Sequence, residues 1–128
     1  MTPQFVLDSV AAFGRQMGFK SFALGENGAA GIRFENGVSF RLEYFDGALT
    51  MRAALFVGDD VTLVKKALMS AHPSAQRGPK VRAVLFSKTG EIAFVMRLPE
   101  RSATATAISD AFRRVWVEAD RLRKAVAA

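Results

Sequence analysis

"RFENGVSFRLEYFDGALTMRAALF", residues Arg33–Phe56, holds two turn signals between segments in which apolar and polar residues alternate. The signals are Asn36-Gly37 and Asp46-Gly47, dipeptides that favour a tight β-hairpin. Alternation with a period of two predicts strands with one apolar and one polar face. The stretch therefore predicts a three-stranded antiparallel meander that needs cover on one face only.

The loop lengths decide which residues face each other in this meander. A two-residue type I′ loop at Asp46-Gly47 makes every cross-strand pair on one face apolar. A three-residue loop over 35–37, with Gly37 in the left-handed conformation, does the same for the first hairpin. The predicted pairs are Tyr44 with Leu49, Leu42 with Met51, Phe40 with Ala53, Val38 with Leu55, Phe34 with Val38, and Ile32 with Phe40. The polar face carries Arg33, Ser39, Arg41, Glu43, Thr50 and Arg52.

The size and composition favour one domain over residues 1–128. The chain has a mass of 13.9 kDa, and 50% of its residues are hydrophobic, including 11 Phe, which suffices for one core. Without cysteine it has neither disulfides nor thiolate metal sites. The start of the chain shows no signal-peptide pattern, and no stretch approaches the roughly 20 apolar residues of a membrane span. We expect a cytoplasmic protein with no membrane span.

The formal net charge of +6 raises the question of an anionic partner. Basic residues concentrate only near the end of the chain, where Glu118 and Asp120 accompany them. This mixture favours a solvated helix face, and binding to nucleic acid is the less favoured alternative. The clustered basic residues are Arg113, Arg114, Arg121, Arg123 and Lys124.

The first predicted helix begins with Thr2 as its N-cap and Pro3 at its first position. Its apolar stripe is Val6, Val10, Phe13 and Met17, with Phe5 and Leu7 beside it. Gly18 ends the helix, and Phe19 is expected to fold back on the last turn. The segment "GENGAAG", residues 25–31, is predicted to be a loop or an irregular edge.

A second helix is predicted after Asp59-Asp60, which would cap it, and it would end before Pro73. Its apolar side is Val61, Val64, Leu68 and Ala71. A second hairpin turns at Thr89-Gly90, where a two-residue loop would pair Leu85 with Phe94, Ala83 with Met96, Val84 with Val95, and Phe86 with Ala93. A three-residue loop would change these pairs and leave the same apolar character. Both faces of this hairpin are apolar, which predicts cover on both sides.

Pro99 ends the last strand, and Ser102 or Thr104 can cap a third helix. The apolar stripe of this helix is Ile108, Phe112, Val115, Ala119, Leu122 and Val126. The resulting order is α-β-β-β-α-β-β-α. It predicts an α+β two-layer sandwich with helices packed on one face of a five-stranded antiparallel sheet.

The sequence shows no catalytic or cofactor pattern. His72 is the only histidine, and its position at a predicted helix end favours a contact with the helix dipole over general-base catalysis. Asp59-Asp60 is better explained as a cap than as an acid pair. "GENGAAG" matches neither a phosphate loop nor a dinucleotide fingerprint. We predict a protein that is not an enzyme and has no metal and no cofactor.

The apolar surface exceeds what one small core requires, because Phe5, Leu7 and the second face of the second hairpin lie outside it. Such a surplus indicates a protein-binding surface, a dimer interface, or both.

The whole chain resembles the class I type III secretion chaperones of the Tir-chaperone (CesT-like) family. The resemblance rests on element order and size, from "FVLDSVAAFGRQMGF" through "GIRFENGVSFRLEYFDGALTMRAALF" to "ISDAFRRVWVEADRL". It implies a non-enzymatic bacterial cytoplasmic homodimer that holds the N-terminal segment of a secretion effector extended and secretion-competent. By position it implies dimer contacts at Leu68, Val84 and Phe86, and effector contacts at Phe5, Phe13 and Phe45. A YbjN-type protein-binding domain outside secretion and a basic nucleic-acid-binding module are the alternatives.

Overall fold

The computed structural model describes residues 2–58, Thr62, Lys65, 81–86 and 88–127, with side chains up to residue 124. Its elements are α1 (Gln4–Gln16), β1 (Ala29–Arg33), β2 (Ser39–Phe45), β3 (Ala48–Phe56), β4 (Arg82–Phe86), β5 (Glu91–Pro99), a 3-10 turn (Glu100–Ser102) and α2 (Ala105–Ala127). Most of the second helix predicted from the sequence, with Asp59-Asp60, Leu68 and His72, lies outside the described residues. Helix α2 is the third helix of the prediction.

The strands form one antiparallel sheet in the order β1-β2-β3-β5-β4. Both described helices cover the same face, so the predicted α+β two-layer sandwich is confirmed. The core lies between the layers, where apolar side chains of α1 and α2 meet those of the central strands. Its largest completely buried side chains are Phe13, Phe40, Phe94, Leu42, Leu49, Met51, Ile92, Ile108, Val6, Val10, Val38 and Val115.

The meander has the predicted register. Asp46 and Gly47 have φ values of 52° and 74°, as a type I′ turn requires, and Leu42 pairs with Met51 across it. In the first hairpin Ile32 pairs with Phe40, and the Phe34 amide donates to the Val38 carbonyl, which leaves three residues in the loop. Strand β1 begins at Ala29, inside the segment expected to be a loop or an irregular edge, and it forms one edge of the described sheet.

The predicted register of the second hairpin was wrong. Phe86 pairs with Glu91 and Leu85 with Ile92, so the loop contains four residues, 87–90, instead of the two or three considered from the sequence. Relative to the two-residue loop the shift is two residues, so each side chain keeps the face it would have had while its partner changes. Ala83 and Leu85 lie on the helix side of the sheet, and Val84 and Phe86 on the other. The prediction that both faces are apolar is confirmed.

Helix α1 begins one position later than predicted. Pro3 is the N-cap, its carbonyl accepts hydrogen bonds from the Val6 and Leu7 amides, and no side chain caps the helix, so the prediction of a Thr2 cap was wrong. The end is as predicted. The Phe19 amide donates to the Gly14 carbonyl and the Gly18 amide to that of Arg15, the paired bonds of a Schellman motif.

Helix α2 is capped by Thr104, whose Oγ1 accepts a hydrogen bond from the Ala107 amide at 3.1 Å. Its predicted stripe is buried from Ile108 to Leu122, and the Val126 side chain lies outside the described ones. The preceding strand ends at Pro99, as predicted.

Candidate protein-binding surfaces

The two predicted effector contacts on α1 have opposite environments. Phe5 lies in the first turn with 48% of its surface exposed, because it is one position away from the buried stripe. Phe13 is completely buried, with the rings of Phe22 and Phe112 at centroid distances of 6.0 and 5.6 Å. In this structure Phe5 is accessible to a partner and Phe13 is not.

Phe45 is the most exposed large apolar side chain of the described residues, at 75%. It ends β2 directly before the Asp46-Gly47 turn. There it borders a concavity of about 340 Å³ that is also lined by Thr2, Glu26, Asn27, Gly28, Tyr44 and Asp46. Phe45 is thus accessible beside a polar depression.

The neighbouring Tyr44 anchors the same strand end. Its hydroxyl donates a hydrogen bond of 2.8 Å to Glu100 Oε1 in the 3-10 turn. This bond and the negative charge of Glu100 raise the pKa of Tyr44 above its usual value of 10.0. The bond links β2 to the segment that leads into α2.

A second apolar surface lies at the β4 edge of the sheet. Val84 and Phe86, the predicted dimer contacts within the described residues, are each 39% exposed, and Leu85 is 43% exposed. Phe56, at the end of β3, is 67% exposed. It lies on the same face as Phe86, because both residues pair with Glu91 of β5, one from each neighbouring strand. Val84, Phe86 and Phe56 form what we call the edge patch.

The meander alternation places Phe56 at the end of the exposed face of the sheet, and its exposure agrees with that prediction. The sequence reasoning missed Val117 on α2, which is 50% exposed. Val117 could have been found from its position outside the α2 stripe.

The face of the sheet away from the helices, here called the outer face, carries the predicted polar residues. Arg41 makes an ion pair of 3.3 Å with Glu43. The Arg52 guanidinium lies over the Phe86 ring, 5.8 Å from its centroid. A shallow concavity of about 460 Å³ opens here, lined by Gly31, Ile32, Arg33, Ser39, Phe40, Arg41, Arg52, Ala54, Phe86, Thr89 and Glu91.

The basic cluster of α2 is neutralised largely within the helix. Arg123 and Lys124 contact Asp120 at 2.7 and 3.2 Å, and Arg121 contacts Glu118 at 3.4 Å. Hydrogen bonds from Arg123 and then Lys124 hold the pKa of Asp120 below its usual value. This arrangement is the solvated helix face that the sequence favoured over a nucleic-acid site.

Neither a metal site nor a membrane span is found among the residues that the structure describes. No group of three or more histidine, cysteine or acidic side chains is arranged to hold a metal ion there. Over the same residues, neither helix combines the length and the apolar character that crossing a bilayer would require.

Three solved structures share this fold at low sequence identity. The ExsC-ExsE complex matches with a TM-score of 0.75 and 20% identity, over 93% of this chain and 91% of the other. The Yersinia pestis type III secretion chaperone SycH, in complex with a stable fragment of YscM2, gives 0.70 and 12%, over 91% and 98%. YbjN from E. coli gives 0.60 and 15%, over 91% and 87%. No curated protein matches the chain.

The fold and these surfaces define a small two-layer α+β protein with exposed apolar patches. The model of the Tir chaperone protein (CesT) family matches residues 9–123, from the middle of α1 to the last turns of α2. The chain belongs to the Tir chaperone protein (CesT) family, a family of type III secretion chaperones.

Proposed function

We propose that this protein binds the N-terminal segment of a type III secretion effector and keeps it extended and secretion-competent. The observation that carries the proposal is the family match over residues 9–123. Two further structures with a similar fold support the proposal. HopA1-SchA is a chaperone-effector complex, and ExoU-SpcU is a heterodimeric complex from the type III secretion system. The proposed role is non-enzymatic and is exercised in the bacterial cytoplasm.

We assign the effector contacts to Phe5 on α1 and Phe45 at the end of β2. An extended segment can lay apolar side chains on such exposed rings and add backbone hydrogen bonds at an open sheet edge. Strand β1 is one edge of the described sheet. Because ordering the segment costs free energy, a few buried anchors must supply most of the affinity.

We assign the homodimer contact to Val84 and Phe86, together with Leu68 of the undescribed segment. The edge patch supports this assignment, because exposed apolar side chains there become favourable once a second copy covers them. A C2 dimer would bring the same patch of both copies together.

The effector site is tested by Phe5→Ala, measured on the complex that copurifies from the native host. We expect an unchanged melting temperature and dimer mass, with an effector affinity at least tenfold weaker. Val117→Ala, an equally exposed apolar truncation on α2, serves as the control and should leave the affinity unchanged. If Phe5→Ala binds the effector as tightly as the control does, α1 is not the binding site. A bound polypeptide unrelated to secretion would instead favour the YbjN-type alternative.

A further inference from the structure

Each of the five strands contributes one arginine to the outer face. Residues paired across strands share a face, so the register places these side chains together. They lie in three neighbouring rows of residues that pair across the strands. One row contains Arg33, the next contains Arg41, Arg52 and Arg82, and the third contains Arg97. The arginines are Arg33, Arg41, Arg52, Arg97 and Arg82, in the order of the strands from β1 to β4.

Two of these arginines are directly opposed in the centre of the sheet. Arg41 pairs with Arg52 across β2 and β3, an arrangement of like charges that destabilises a sheet. Glu43 compensates Arg41 in part, and the Phe86 ring lies under Arg52. An anion placed between the two guanidinium groups would relieve the repulsion.

The other three arginines are available to a ligand. Arg33, Arg82 and Arg97 are exposed, and within the described part of the chain none of them makes an ion pair with a carboxylate. The described outer face carries two glutamates, Glu43 and Glu91, against the five arginines. The field of this face is therefore positive.

We propose that the outer face binds an acidic segment of a polypeptide partner, with its carboxylates on the arginines. The proposal rests on the proposed chaperone function, and it names the chemistry of a second region of the partner. Five strands span about 19 Å across the sheet. An extended chain covers that distance with about six residues. The concavity of about 460 Å³ already joins Arg33, Arg41 and Arg52 in one surface.

Two other occupants fit the face less well. A second copy centred on these arginines, rather than on the edge patch at the β4 end, would set like charges against each other, which is unfavourable. A nucleic acid would find few rings for base stacking, since the described aromatic residues of this face, Phe45, Phe56 and Phe86, lie at its ends.

The test uses the full chain and a dye-labelled peptide, Gly-Glu-Glu-Phe-Glu-Asp-Leu-Glu-Glu-Gly, with fluorescence anisotropy as the readout. The matched peptide replaces every Glu by Gln and Asp by Asn. We expect the acidic peptide to bind at least tenfold tighter than the neutral one at low salt, and less tightly at about 0.15 M salt. Arg33→Gln with Arg97→Gln should weaken it by about tenfold, because each lost charge-assisted bond is a substantial fraction of the binding free energy.

The control is Arg113→Gln with Arg121→Gln, which removes the same charge from exposed positions of α2. Equal affinity for both peptides, or equal loss in both double variants, would overturn the proposal. Tighter binding of a labelled oligothymidine than of the acidic peptide would overturn it in favour of nucleic acid. If an effector copurifies with the chain but the acidic peptide does not bind, this inference alone is contradicted. If the acidic peptide binds but no effector copurifies, the chaperone function alone is contradicted.

Discussion

Phe13 lies at the centre of an aromatic cluster, and its burial sets the strongest prediction at the scale of single residues. Four other phenylalanine rings, those of Phe19, Phe22, Phe40 and Phe112, lie 5.6 to 6.2 Å from its centroid. Phe13→Ala should therefore lower the free energy of unfolding by about 3 to 5 kcal/mol through lost burial and a residual cavity.

Denaturant unfolding followed by fluorescence measures this loss. Trp116 is the only tryptophan and lies 5.8 Å from the Phe112 ring, so its emission reports on the cluster. Phe5→Ala, at a half-exposed position, is the comparison and should cost much less. Equal losses in the two variants would show that Phe13 is not the centre of the core.

Tyr44 gives a second prediction, because it is the only tyrosine and its ionisation can be followed by ultraviolet absorbance. Ionisation breaks the bond to Glu100 and places a second negative charge beside that carboxylate, so the pKa should lie above 10.0. The stability that this bond contributes is present below pH 10 and lost as the pH rises through the folded pKa. Glu100→Gln should return the pKa toward 10.0, and an unchanged titration would show that the bond does not form in solution.

At the scale of elements, the sequence predicted the meander correctly because only one register keeps its apolar side chains on one face. The β4-β5 hairpin has apolar residues on both faces, so alternation could not select its register. The four-residue loop follows instead from a tertiary contact: the Val57 and Gly58 amides both donate to the Gly90 carbonyl, at 2.8 and 3.1 Å. Periodicity did indicate the exposure of Phe5, which lies one position off the α1 stripe, and of Phe45, which falls on the polar face of the meander.

The turn at Gly90 also lies close to the Phe56 ring, which makes Gly90 sensitive to substitution. Gly90 has φ of 71°, and a Cβ there would lie 2.9 Å from the Phe56 ring. Gly90→Ala should cost the roughly 1 to 2 kcal/mol of a left-handed conformation and an additional amount for displacing Phe56. Gly47→Ala, with φ of 74° and no atom within 4 Å, is the matched control and should cost the first amount only. Similar losses in thermal unfolding would contradict the contact between Phe56 and the turn.

At the scale of the whole molecule, the positive charge lies in two regions, helix α2 and the outer face, which differ in how far their cations are paired. The cations of α2 are largely paired within the helix, whereas those of the outer face are not. The meander alternation already places Arg33, Arg41 and Arg52 on one face. Net charge and periodicity could not show that Arg97 and Arg82 join them, because this depends on how β5 and β4 pair with the meander. The apolar edge patch adjoins the cationic region and is our candidate for the dimer contact.

Phe86→Glu tests that contact, because a carboxylate introduced on the edge patch would have to be desolvated in the dimer. We expect sedimentation at micromolar concentration to give about twice 13.9 kDa for the wild type and a weaker association for the variant. Val117→Glu, on the outside of α2, should associate like the wild type. An unchanged dimer in Phe86→Glu would place the interface elsewhere.

The central claim is that this chain holds the N-terminal segment of another polypeptide in extended form. The most direct measurement is native mass spectrometry of the complex isolated from its host at moderate salt, followed by limited proteolysis of the bound partner. Our account predicts two copies of this chain with one secretion effector, whose N-terminal segment becomes protected from protease only while bound. A chain that carries nucleic acid released by salt, or a partner whose N-terminal segment is equally sensitive free and bound, would contradict it.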